Sequence, residues 1–255
     1  MQIQRSFKHN PFITTISASS KRQIMLSSLF WLTIIIAPLT SCTPAPQSVH
    51  KTSIIVFGTT VDISILPPPH QAQLAEQAIQ SVEQQFHQFH QQWHAWEEGG
   101  IVSKINHAIS QQQSIVVAKS VKDFIVTSQL LTKQSQGLFD PGIGQLIALW
   151  GFHAEEWQGP PPSEQAIQHW LNRHPSLLDI YFQGNELHSR NPSVQLDFGG
   201  NAKGLAIHLA LKSLKQSGIQ NALVSIGGDM KAIGSKNGQP WRVGIQNPQH
   251  PSHVL

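Results

Sequence analysis

Between Leu74 and Trp93 the apolar positions Leu74, Ala78, Val82, Phe86, Phe89 and Trp93 recur in a Gln-rich background. Steps of three and four residues put them on one face of a helix over residues 71–92. Residues 53–66 (SIIVFGTTVDISIL) are β-branched with polar interruptions and are stopped by Pro67-Pro68-Pro69. They predict a strand pair or one long strand. Residues 119–135 predict a second helix, ended before Gly137, a residue suited to a left-handed stop. A third, short helix is expected over 165–172, after Pro160-Pro161-Pro162. Further on, 194–198 reads as a strand, 201–216 as a helix closed by Gly218, and 222–226 as a strand. The last pattern, 239–247, predicts a strand paired with 231–235. Strands and helices interleave without a strict βαβ rhythm, so the expected class is α+β, layered mixed sheets with packed helices.

Composition narrows the function classes. The chain has 255 residues, 40% hydrophobic and 12% charged, which is globular rather than disordered. The formal charge of +3 comes from the N-terminal stretch. Residues 1–41 hold Arg5, Lys8, Lys21 and Arg22 and no acid, so the rest has 17 − 4 = 13 basic against 14 acidic residues. A body with a net charge of −1 has no basic excess for neutralising phosphates, and no nucleic-acid partner is expected. The single cysteine, Cys42, excludes an intrachain disulfide framework and cysteine-based metal clusters.

After Lys21-Arg22 an apolar run from Met25 to Ala37 ends at Pro38 and small residues. It is short for a bilayer span and reads as a secretory signal. Its close, Leu39-Thr40-Ser41-Cys42, resembles the bacterial lipobox, which makes Cys42 the lipidated residue. The expected organisation is a signal peptide over 1–41, a tether over 42–51 and a domain over 52–255, lipid-anchored on the periplasmic side of the inner membrane.

Among residues that carry chemistry, His87, His90 and His94 share a helix face at i, i+3 and i+7. A metal site is conceivable there, but the Gln-rich surroundings favour a solvated polar face. His153 and His208 are isolated in sequence and read as structural. More informative are two glycine turns. Leu196-Asp197-Phe198-Gly199-Gly200-Asn201-Ala202-Lys203-Gly204 is a strand–turn–helix with a carboxylate and an ammonium around the turn, and Ser225-Ile226-Gly227-Gly228-Asp229 ends the next strand. Glycine at such a junction lets backbone approach a phosphate while helix N–H groups stay free to bind it. The order is that of neither a Walker loop nor a Rossmann fingerprint.

Taken in order, these blocks resemble the FAD:protein FMN transferase family, known as ApbE. The resemblance rests on Phe57-Gly58-Thr59, where the family usually has Met-Gly-Thr; Trp96 ten residues before Asn106; Gly137-Leu138-Phe139-Asp140-Pro141 through Gly144 to Leu149-Trp150-Gly151-Phe152; Leu196–Gly204; Gly218–Asp229; and Pro240-Trp241-Arg242-Val243-Gly244-Ile245. It implies transfer of FMN from FAD to a Thr or Ser hydroxyl of an acceptor protein, with Mg2+, outside the cytoplasm. By the same resemblance Phe57, Trp96, Leu138, Phe139, Asp140, Asp197 and Lys203 fall at FAD-contacting positions, and Gly200 lends a backbone carbonyl to the metal. No catalytic group is assigned. Members of the family continue through a His-containing Asp-Pro-x-Thr-Gly segment and an Asp/Thr segment that supply metal ligands, and the resemblance therefore describes a C-terminally truncated domain. Its expected consequence is weak FAD binding and no transfer, with a non-catalytic flavin-binding lipoprotein as the rival reading.

Overall fold

A computed structural model describes residues 47–250 apart from 155, 158 and 246. The signal, the lipobox and Cys42 lie outside the described residues. Among the described residues no helix is long and apolar enough to cross a membrane.

The first sheet is antiparallel, in the order β1 (His50–Val56), β2 (Thr59–Leu66), β6 (Asn221–Ile226), β7 (Asp229–Ile233). The stretch read as a strand pair is therefore a hairpin, and β1 begins two residues before the expected domain start at Thr52. Its turn is Phe57-Gly58, with φ of 60° and 67°; the β6–β7 turn is Gly227-Gly228, with φ of 55° and 95°. Positive φ at both central residues is the two-residue hairpin geometry that matches strand twist. Since Val61 pairs with Ile226, the two turns emerge at the same end of the sheet.

One face of this sheet is apolar. Val61, Ile63 and Ile65 on β2 and Ala222, Val224 and Ile226 on β6 are fully buried, as period-two alternation requires. They pack on α1 (Ala72–Trp93) and α6 (Ala202–Gln216) through Phe86, Phe89, Ala206, Ala210 and Leu214. The helix expected over 71–92 is α1, displaced by one residue at each end.

A second core joins α2 (Ile101–Ser110), α3 (Lys119–Gln134) and a small sheet ordered β3 (Ile115–Val116), β5 (Glu186–Ser189), β4 (Ile180–Gln183). Two short helices, α4 (Gly144–Leu149) and α5 (Glu164–Leu171), lie outside it in sequence, and α5 starts on a Ser163 cap. Helix α3 ends in a Schellman arrangement: Gln136 N–H donates to Lys133 O and Gly137 N–H to Thr132 O. Gln136, at φ 55°, precedes Gly137 in the left-handed region, so the stop is shared by two residues rather than set by Gly137 alone. The indole of Trp93 belongs to both cores. It stacks on Phe89 (5.4 Å between centroids) and meets Phe124 (4.8 Å) and Phe198 (5.8 Å) edge-on.

Two sequence expectations fail in an instructive way. Residues 194–198 do alternate, with Val194, Leu196 and Phe198 buried, but they form no strand of either sheet. Their backbone groups are met by one parallel bridge between Ile143 and Gln195, by Pro141 O and by a side chain. The described residues of 239–247 form no strand either; β7 pairs with β6, and the described chain that follows makes a single bridge between Lys236 and Gln239. Trp241 instead donates its indole N–H to Ile233 O at 3.1 Å.

Candidate functional site

The second half of the 194–198 segment is where site residues converge. Asn106 on α2 donates its side-chain N–H to Leu196 O (2.9 Å) and accepts from Leu196 N–H at its Oδ1 (2.7 Å). One residue on, Asp197 N–H donates to Pro141 O at 2.8 Å. The Asp197 carboxylate accepts from Gly199 N–H at Oδ1 (2.8 Å) and from the Trp96 indole at Oδ2 (3.0 Å). Backbone and carboxylate are thus both held, and the Gly199-Gly200 turn that follows has a fixed origin.

From that turn the chain enters α6. Asn201 N–H and Ala202 N–H both donate to Phe198 O, and the Gly200 carbonyl accepts no hydrogen bond among the described residues. No side chain caps α6: Asn201 sends its Nδ2 to Ser128 Oγ at 2.8 Å instead, and its buried Oδ1 has no partner. The first turn of α6 therefore presents an uncapped, partially positive end. Lys203, in that turn, makes no ion pair among the described residues.

These groups border a cavity of about 540 Å³, within the ordinary range for a small-molecule site. One wall is aromatic: Phe57 from the first hairpin turn, Phe89 and Trp93 from α1, Trp96 from the loop after it, and Phe152. The polar part of the lining is Asp197, Gly199, Gly200 and Lys203, with Asp197 directly bonded to Trp96. Five of the sequence-derived positions, Phe57, Trp96, Asp197, Gly200 and Lys203, thus border one space. Phe57 meets it from a constrained place, with its ring edge-on to Phe86 (5.7 Å), Phe89 (6.0 Å) and His90 (5.6 Å).

The remaining three do not border the cavity. Leu138 is exposed. Phe139 lies against the outside of the glycine turn, so close that a Cβ on Gly200 would sit 3.2 Å from its Cε2. Asp140 is consumed internally: it accepts from Gly142 N–H (2.8 Å), Leu177 N–H (2.8 Å) and Ser176 Oγ (2.6 Å). Placed as ligand contacts by resemblance, Phe139 and Asp140 instead support neighbouring loops in the structure, and Leu138 is left exposed.

Two of the helix histidines belong to the cavity rather than to a solvated face. His90 and His94 line the cavity, half-buried, and His153 lines it too, its ring 5.1 Å from Trp96. His87 alone of the three helix histidines is exposed as a solvated face predicts, while His153 and His208, read as structural, are both exposed. The available signal was the i, i+4 spacing of His90 and His94 beside Phe89 and Trp93, which turns both toward the apolar stripe. Partial burial, and next the neighbouring His94, push the His90 imidazole below its ordinary value; Glu97 pulls the other way and His87 adds a smaller push down.

Ligand atoms of His90, His94 and Glu97 lie within 4.8 Å of one another, a spacing open to a cation. The hydrogen bonds argue against it. His94 Nδ1 accepts from the N–H groups of Trp96 (3.3 Å) and Glu97 (3.1 Å), so a neutral ring carries its proton on Nε2, the nitrogen facing Glu97, where a cation would need a lone pair. Around Gly200 the described residues gather no other group of three acidic or histidine ligands. Mg2+ wants near-octahedral oxygen coordination, and these residues do not by themselves form such a site.

The comparisons with known proteins agree with this geometry. The sequence profile of the ApbE family matches residues 57–255. A FAD:protein FMN transferase of Rhodobacter capsulatus is 34% identical over 205 residues, covering 80% of this chain and 38% of that protein. One of Chlamydia pneumoniae is 27% identical over 215 residues, covering 84% of this chain and 66% of that protein. The chain thus spans between 38% and 66% of the length of these two relatives. Among solved structures, the ApbE protein of Thermotoga maritima has the same fold, with a TM-score of 0.73 at 24% identity over 82% of this chain and 66% of that one. The flavinyl transferase ApbE of Pseudomonas stutzeri, in its apo form, matches with a TM-score of 0.69 at 26% identity over 79% of this chain and 67% of that one. With more than half of its length under the family profile, the chain belongs to the ApbE family.

Proposed function

We propose that this chain is a flavin transferase unit that takes FAD as substrate and moves its FMN part to a Thr or Ser hydroxyl of an acceptor protein. The observation that carries the reading is a cavity lined both by aromatic rings and by Lys203 at the uncapped start of α6. Trp96 and Phe57 offer ring faces and edges to a flavin or adenine, while Lys203 and the N–H groups of the α6 first turn attract a pyrophosphate. Asp197, already holding Trp96 and Gly199, keeps lone pairs for a sugar or adenine donor.

In the transfer, the acceptor hydroxyl oxygen bonds to the FMN phosphorus, the pyrophosphate P–O bond breaks, and AMP leaves with the electron pair. The hydroxyl proton passes to a base. Lys203 stabilises negative charge on the bridging phosphates, and the aromatic wall keeps water from the flavin side. Magnesium dependence is part of the proposal and rests on family resemblance; since the described residues do not form its site, no step is routed through it. We also assign the chain to the periplasmic side of the inner membrane, lipid-anchored through Cys42, on the strength of Leu39-Thr40-Ser41-Cys42 after the apolar run.

The second reading is flavin binding without transfer. Incubation of the chain with FAD, Mg2+ and an acceptor protein, followed by in-gel flavin fluorescence, tests transfer; equilibrium titration of FAD tests binding. Labelled acceptor supports the transferase. FAD binding without label supports the second reading, and no FAD binding overturns both. A Cys42→Ser chain is expected to leave the membrane fraction; unchanged membrane retention overturns the anchor.

A further inference from the structure

The bond from Trp96 to Asp197 depends on how the chain leaves α1. His94 follows the last residue of α1, and its N–H donates to His90 O at 2.9 Å. Its ring then folds back over the next turn, so that Nδ1 accepts from two successive donors, Trp96 N–H at 3.3 Å and Glu97 N–H at 3.1 Å. This single nitrogen gathers the backbone of the loop that carries Trp96. The indole of Trp96 in turn donates to Asp197 Oδ2 at 3.0 Å, with its ring facing the cavity.

We propose that His94 is a positioning residue: in its neutral form alone it holds the turn that places Trp96 on Asp197, so that acid releases the aromatic wall of the cavity. The argument is one of donor count. A neutral imidazole has one bare nitrogen and one N–H, and here the bare one must be Nδ1. A protonated ring has a hydrogen on both nitrogens and no acceptor. Its Nδ1–H would point at two backbone N–H groups, three donors without an acceptor, and both bonds are lost. Nothing else in the described loop accepts from Trp96 N–H or Glu97 N–H.

The charged and titratable neighbours come from each element around it. From α1, His90 meets His94 edge-on at 5.0 Å between centroids, and His87 lies one turn further back. His90 is pushed toward its neutral form by burial and by His94, so two adjacent positive rings are disfavoured. From the turn itself Glu97 Oε1 stands 4.0 Å from His94 Nε2. His153 faces Trp96 from the 150–157 segment, and Asp197 and Lys203 border the same cavity. The closed turn accepts only the neutral ring, so it is favoured at higher pH and lost as pH falls.

The inference rests on the flavin reading of the cavity for its effect on affinity, and the experiment separates the two. In the ligand-free chain, nitrogen shifts of His94 and the amide signals of Trp96 and Glu97 are followed by NMR from about pH 8 to about pH 5.5, the range in which histidine changes charge. The expected result is an Nε2–H tautomer at high pH, with both amides losing exchange protection together as His94 protonates. FAD titrations over the same range are expected to show roughly a tenfold fall in affinity, the scale of one to two net hydrogen bonds. His94→Ala binds weakly throughout. His94→Asn, which keeps an acceptor oxygen and cannot titrate, restores most of that loss and shows no fall with acid. A proton on Nδ1 in the free chain, or an Asn variant with the parent's pH profile, overturns the proposal. A chain that shows the amide transition and binds no FAD at any pH confirms the latch and overturns the flavin reading instead.

Discussion

The side-chain amide of Asn106 stands in for a neighbouring β-strand: it accepts from Leu196 N–H at 2.7 Å and donates to Leu196 O at 2.9 Å, the two bonds a strand would make. Ten residues earlier, Trp96 holds the very next side chain, Asp197. Helix α2 and the loop before it therefore grip consecutive residues of the chain entering the glycine turn. Replacing Asn106 with Ala leaves both backbone groups of a fully buried residue unpaired. The expected cost is about 2–4 kcal/mol, one to two per orphaned group, read as a lower urea midpoint. FAD affinity should fall with it. Asn106→Asp should also be damaging, because the carboxylate can still accept from Leu196 N–H but lacks the donor that Leu196 O needs.

Asp140 gives the complementary case. Its carboxylate takes three donors under the site and borders no part of the cavity. Asp140→Ala is expected to lower stability by about 2–4 kcal/mol, since hydrogen bonds to charged groups are the stronger kind. At a temperature where the variant remains folded, its FAD dissociation constant should stay within about threefold of the parent. A large loss of affinity in folded Asp140→Ala protein would return this residue to the ligand site.

His90 predicts a slope in stability against pH. Its folded value is lowered, so the folded chain binds fewer protons than the unfolded one as pH drops through the ordinary value of 6.5. This histidine's contribution is thus intact above that value and is lost as pH falls below it. His90→Gln cannot titrate, and urea midpoints measured in steps from neutral to mildly acidic pH should decline less steeply in it than in the parent. An unchanged slope would mean that His90 is as well solvated as in the unfolded chain.

How much of this was legible in the sequence depended on whether the signal was local. Helix α1 was, because its apolar stripe and its own backbone bonds suffice. The spacing of Trp96 and Asn106 was visible too, but not its meaning, which requires the partner segment ninety or more residues away. Residues 194–198 show the alternation of a strand because Val194, Leu196 and Phe198 face the core while Gln195 and Asp197 are only partly buried; what the alternation cannot reveal is that a loop and a side chain do the pairing. The β4–β5 hairpin escaped notice because each strand has only four residues, and its two-residue turn is marked by Gly184 alone at φ 60°. Helix α2 was hidden behind Gly99-Gly100, a pair that reads as a break. In the structure Gly100 is the helix cap, where a Cβ would meet Gln91 O at 2.4 Å. The Gln-rich background of His90 and His94 predicts a solvated face, and only their place beside Phe89 and Trp93 points to the cavity.

The two glycines of the β6–β7 turn make a paired test of how the sheet end reaches the cavity. Both have positive φ, so alanine at either is strained by about 1–2 kcal/mol. They differ in what a methyl group would meet. At Gly228 there is nothing within 4 Å; at Gly227 it would sit 2.9 Å from Thr59 Oγ1, 3.0 Å from Thr59 Cγ2 and 3.3 Å from Lys203 Nζ. Thr59 is a β-branched residue paired in the neighbouring strand, with little freedom to turn, so the displacement falls on Lys203. Both variants should therefore lose stability, Gly227→Ala by the larger amount. Only Gly227→Ala should also weaken FAD binding, and that weakening should shrink at high salt, where the contribution of Lys203 to the parent's affinity is already screened. Equal FAD affinities in the two variants would show that Lys203 approaches the ligand from a direction the glycine turn does not govern.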